Sequence, residues 1–98
     1  MREKIIEKVL VRQVQNAGGI APKFVSPGTD GMPDRIVLLP HGRMAFVELK
    51  APGQKPRPLQ ESRHRLLRTL GYDVYVIDHI AAIPDVIEKI KGGGQDEV

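Results

Sequence analysis

The 98-residue sequence contains no cysteine and no tryptophan, and only 4% of its residues are aromatic. The first absence excludes a disulfide framework and any thiolate zinc site, and it suits a reducing compartment. The scarcity of rings leaves no obvious stacking platform for the bases of a single-stranded nucleic acid. Long hydrophobic runs are missing too: stretches such as Ile36–Leu39 fall far short of the roughly 20 apolar residues that span a bilayer. The N-terminus opens on an amphipathic charged segment rather than a signal peptide. A cytoplasmic protein with no membrane partner is expected, in a bacterial or virus-hosting cell. Neither sign of charge dominates, with 15 Lys and Arg against 12 Asp and Glu, a net charge of +3. That excess favours an anionic partner only weakly.

What is present is ordinary for a globular chain: 41% hydrophobic and 28% charged residues, enough for one modest core. A single domain over residues 1–91 is expected, followed by a glycine-rich, acidic tail over 92–98 that would fray. Ile6, Val9, Leu10, Val14 and Ala17 recur at helical spacing between Arg2 and Ala17, and Gly18-Gly19 ends the run. Ile20–Val25 reads as a strand in which Pro22 demands an edge position or the strand's start. Two prolines and two glycines make 26–33 a loop. Arg35–Leu39 and Arg43–Ala51 flank the short Pro40-His41-Gly42 connection and predict an antiparallel hairpin. A loop reaches Arg57, and Pro58 then suits a first helical position. Leu59, Leu66, Leu67 and Leu70 carry that helix to Gly71. Tyr72–Ile77 predicts a strand and Ala82–Lys91 a last helix. The order α-β-β-β-α-β-α implies an α/β fold, a mixed β-sheet flanked by helices.

The chemistry gathers on the hairpin. In a strand, side chains two apart share a face, so Glu48 and Lys50 point one way while Val47 and Leu49 point the other. A glutamate and a lysine in the middle of an apolar strand are costly to bury unless paired or bound to an ion. Asp34 opens the preceding strand, and a turn near His41 would set it beside the Glu48–Lys50 segment. Two carboxylates and the Leu49 carbonyl would make the hard, oxygen-rich site that Mg²⁺ prefers. Lys50 would orient a water or stabilise charge developing on a phosphate. Such a set suits metal-assisted phosphodiester hydrolysis.

Pro33-Asp34 followed by Glu48-Leu49-Lys50 resembles the PD-(D/E)XK nuclease signature. The longer string from Ser26 to Gly53, with Gly18-Gly19, Lys23 and the Pro58–His64 segment, resembles the VRR-Nuc branch. The resemblance covers nearly the whole chain. It implies a restriction-endonuclease-like core, Mg²⁺ with Mn²⁺ as a substitute, and cleavage of DNA. It also implies a metal-binding glutamate on the first helix, where Glu7 matches best and Glu3, one turn earlier, is the alternative. Gln60 matches a glutamine that would hydrogen-bond a phosphate or the metal's water. Small stand-alone relatives resemble archaeal Holliday junction resolvases and act as homodimers, so branched or duplex DNA and a second copy of the chain are the implied partners. Lys23, Ser26, Gly28, Thr29, Arg35, Lys55, Arg57, Arg63 and His64 flank the proposed site as candidate phosphate contacts.

Plainer readings stand beside these. Asp34 could cap a turn. Glu48 and Lys50 could be a solvated pair. Glu3 and Glu7 could lie on a solvated helix face beside Lys4 or Lys8. Gln60 could be no more than a first-turn residue, and the basic residues could be solubilising charge. Two other functions fit the same residues: a DNA-junction-binding module that no longer cuts, and a protein-interaction domain.

Overall fold

The computed structural model describes residues 2–92; the tail expected beyond Gly92 lies outside the described residues. The elements are α1 (Glu3–Asn16), β1 (Arg35–Leu39), β2 (Arg43–Leu49), α2 (Pro58–Thr69), β3 (Val74–Ile77) and α3 (Ile83–Lys91), with 3₁₀ turns at Pro40–Gly42 and Ile80–Ala82. The sheet order is β1-β2-β3. β1 and β2 are antiparallel, with Arg35 opposite Val47 and Leu39 opposite Arg43. β2 and β3 are parallel, joined through α2, with Glu48 opposite Val76. His41 takes a left-handed conformation, φ 68°, in the hairpin turn.

The strand expected at Ile20–Val25 is reduced to two isolated bridges, Ile20 with Leu38 and Lys23 with Arg35. Pro22 is the cause. Ile20 exchanges both backbone hydrogen bonds with Leu38, and Pro22 accepts one from Ile36, but it has no N–H to return. The segment therefore lies along the outer edge of β1 as an interrupted strand. It is held closely there: a Cβ on Gly19 would strike the backbone carbonyl of Leu38.

Alternation along the strands divides the sheet's two faces. One face carries Val37, Leu39, Ala45, Val47, Leu49 and Ile77, which pack against Ile6, Leu10 and Val14 of α1 and Ile83, Ile87 and Ile90 of α3. Each fully buried valine, leucine or isoleucine of this set contributes about 1.5–3 kcal/mol. The other face is thinner. Phe46, Val74 and Leu67 form its centre, with Phe24, Met32, Ile36 and Met44 around them.

The helix α2 covers this second face differently from its leucine pattern. Its buried residues are Gln60, His64 and Leu67, whereas Leu59, Leu66 and Leu70 are exposed. Two polar residues thus occupy the inward stripe, directly over the Glu48 end of β2. Among the described residues no helix is long and apolar enough to cross a membrane.

Candidate active site

The hairpin register carries the site. With Arg35 opposite Val47, the next position inward sets Asp34 beside Glu48, on the α2 side of the sheet. Pro33 before it is fully buried, which fixes the chain as it enters the strand. Asp34 Oδ2 accepts the Leu49 N–H at 3.0 Å, so the carboxylate is anchored across the hairpin. The 26–33 loop that leads to it is pinned on α2 by Arg63 Nε, which donates to the Asp30 carbonyl at 2.8 Å. Gly31 makes that approach possible: its φ is +84°, and a Cβ there would lie 3.0 Å from Leu59 and 3.1 Å from Arg63.

Glu48 is 1% exposed. Its Oε2 accepts from Gln60 Nε2 at 2.9 Å and lies 3.4 Å from Lys50 Nζ. Gln60 is itself oriented from behind, since its Oε1 accepts the Arg57 N–H at 2.9 Å at the start of α2. One amide thus ties a helix N-terminus to a buried carboxylate. The second oxygen, Oε1, has no hydrogen-bond partner, and neither has the nearby His64 Nε2, 3.9 Å away. Burial first, and the negative charge of Asp34 second, push Glu48 up from 4.5 to about 7, against the pull of Lys50. Burial also lowers His64, with the Arg68 cation adding to the effect. Glu48 Oε1 and His64 Nε2 thus face each other as two buried atoms without a hydrogen-bond partner, while the cation at Glu48, Lys50, meets only its other oxygen.

These features fit a divalent ion. Among the described residues no group of three or more His, Cys, Asp and Glu is arranged as a protein-only metal cage. Mg²⁺ does not need one: it keeps several waters and is commonly held by one or two carboxylates together with substrate phosphates. Asp34 and Glu48 supply two, and Glu48 Oε1 is an acceptor without a donor on a carboxyl that burial and Asp34 raise to about 7.

The other candidate residues are placed as follows. Glu7 is not gathered with Glu48; its Oε2 is 2.7 Å from Arg35 Nη2 and 2.9 Å from Arg35 Nε, on the α1 face. The α1 carboxylate whose field reaches Glu48 is Glu3. Arg35, expected as a phosphate contact, is committed to Glu7 and to the Ala21 carbonyl at 2.7 Å. His64, expected at a DNA-facing surface, is 2% exposed and lies against Glu48. The sequence signal for it was its place in the 60, 64, 67 stripe, hidden by the stronger leucine pattern. Lys23, Gly28, Lys55 and Arg57 are exposed, and Ser26, Thr29 and Arg63 are half-buried, with Thr29 N–H turning back to the Ser26 carbonyl.

No family model matches the chain. It is 56% identical over 78 residues, 80% of its length, to 84% of a phage protein named "Putative nuclease p44" from Acyrthosiphon pisum secondary endosymbiont phage 1. It is also similar to a solved structure described as a VRR_NUC domain, with a TM-score of 0.82 and 30% identity over 90% of this chain and 97% of that one. These likenesses identify the chain as a nuclease. The chain belongs to the VRR-Nuc family of PD-(D/E)XK nucleases.

Proposed function

We propose that this nuclease is a divalent-metal-dependent DNA endonuclease that hydrolyses phosphodiester bonds at the Asp34, Glu48 and Lys50 site. The observation that carries the reading is the buried Glu48 carboxylate, bound on one oxygen by Gln60 and Lys50, unpartnered on the other, and charged against Asp34. Such an arrangement is unfavourable for the protein alone and is relieved by a cation.

Asp34 and Glu48 would hold Mg²⁺, with Mn²⁺ as a substitute and the Leu49 carbonyl as a further oxygen. Bound there, the ion would supply Lewis acidity to the scissile phosphate and a more acidic water. Lys50 holds its ammonium at the edge of the same carboxylate, 16% exposed. There it orients the attacking water and stabilises charge developing on the phosphate. Gln60 keeps Glu48 in one rotamer. Glu3 takes the helix-one position in preference to Glu7, whose charge Arg35 already neutralises.

DNA would be read by shape. The exposed and half-buried groups around the site are basic side chains and loop backbone suited to phosphates, which favours branched substrates such as four-way junctions over a base sequence. Cutting two strands calls for two sites, and the exposed Leu59, Leu66 and Leu70 on the outer side of α2 offer an apolar surface for a second copy of the chain.

The test is a cleavage panel of four-way junction, flap, fork, duplex and single strand in EDTA, Mg²⁺ and Mn²⁺. Metal-dependent nicking, strongest on the junction, is expected. Lys50→Ala should lower the rate by about 10²–10³-fold, and Asp34→Asn should abolish cutting while the protein stays folded. Equal cutting by Asp34→Asn would overturn the site.

A further inference from the structure

A sizeable cavity lies away from Glu48. It is a groove of about 580 Å³ on the α1 side, lined by Lys4, Lys8, Arg12, Lys23 and Arg35, with Glu7 as its one acid. Five cations and one carboxylate leave a net charge of +4. The whole chain carries +3, so the remainder is slightly acidic and this groove holds the entire positive excess of the protein.

The groove is laid out as a track. Lys4, Lys8 and Arg12 recur every four residues, so they share one face of α1. They run along about 12 Å of helix axis, or about three to four base pairs of duplex. Lys23, on the interrupted edge segment, forms the opposite bank. Lys4, Lys8, Arg12 and Lys23 are exposed and make no ion pair within the described residues. Cations stacked four apart on a helix repel one another, and only Arg35 at the groove's floor is neutralised, by Glu7. The track also adjoins the catalytic end of the sheet. Asp34 and Arg35 are neighbours on β1 that point to opposite faces, and Glu3, whose field reaches Glu48, directly precedes Lys4.

From this placement we infer that the α1 groove binds the phosphate backbone of the duplex that flanks the cleavage point, so that DNA continues from the Glu48 site around the β1 edge and along α1. The inference rests on the nuclease reading for its choice of DNA as the anion. Evenly spaced, unpartnered cations suit the regular charge of a phosphate backbone, whereas an acidic protein surface would also be expected to find a cluster of apolar anchors, and Val11 is the single apolar residue among those lining the groove.

The experiment is equilibrium binding of a 30-base-pair duplex in EDTA, followed by fluorescence anisotropy from 50 to 200 mM NaCl. The variants are Lys4→Ala/Lys8→Ala/Arg12→Ala and a charge-matched control, Arg43→Ala/Lys89→Ala/Lys91→Ala. Alanine is the strongest helix former, so α1 should persist, and circular dichroism checks it. The slope of log K against log salt should fall by about 2.7 in the α1 variant, about 0.9 for each lost phosphate contact, and change little in the control. In the parent protein, bound duplex should also protect Lys4, Lys8 and Lys23 from acetylation, as read by mass spectrometry. A parental slope in the α1 variant, an equal loss in the control, or binding of polyglutamate as tight as of duplex would overturn the inference. Groove-dependent duplex binding without cleavage in any metal would uphold it while removing the catalytic reading.

Discussion

The Glu48 carboxylate has donors on one oxygen and none on the other, and two measurements follow from that asymmetry. A carboxyl raised from 4.5 to about 7 on folding contributes stability that is complete below 4.5 and lost as the pH rises to about 7. His64, lowered on folding, acts oppositely, losing stability as the pH falls below 6.5. Asp34, Lys50 and Gln60 face the same carboxylate and remain in both proteins, so comparison with Glu48→Gln isolates the glutamate. In EDTA the melting temperature of Glu48→Gln relative to the parent should climb from pH 5 to pH 7 and then level off, by about 4–8 °C for each kcal/mol involved. A gap independent of pH would contradict it. At pH 8, Mg²⁺ should raise the melting temperature of the parent and not that of the variant. Gln60→Ala, which removes the Nε2 donor from Glu48, should reduce apparent metal affinity or cleavage by about 10–100-fold, read from the Mg²⁺ dependence of the rate.

At the scale of elements, the close seat of the Gly18-Gly19 turn on β1 makes Gly19 a sensitive position. Gly19→Ala forces a methyl onto the Leu38 carbonyl and should cost about 1–3 kcal/mol, seen as a lower urea midpoint. The hairpin was legible beforehand because its signals are local: a three-residue turn, Pro33-Asp34 at the entry, and a spacing of two between Glu48 and Lys50. The helix α2 was legible in extent but not in facing. Four leucines suggest an inward stripe, yet the polar Gln60 and His64 sit inside, Gln60 as a donor to the buried Glu48 and His64 one turn on beside it, and three of the leucines are exposed. Glu7 was unreadable for another reason. Its partner Arg35 lies 28 residues away, a pairing that only the packed α1 and β1 create. Pro22 announced an edge position, but the missing hydrogen bond that splits the strand depends on which side of the segment meets β1.

At the scale of the whole molecule, the outward leucines bear on assembly. Sedimentation equilibrium should give twice the 10.9 kDa chain mass, and Leu66→Glu/Leu70→Glu should return it to the monomer value. A parent monomer at tens of micromolar would remove the homodimer. The interrupted segment beside β1 has a separate consequence for solution behaviour. A continuous strand at that border would offer an unbroken row of amides for recruiting further chains into cross-β stacks. Here the row is cut short, the Ala21 carbonyl is capped by Arg35, and Lys23 adds a charge. Strand addition at that border is thereby disfavoured, and the four-residue rim of β3 is the sheet's other edge.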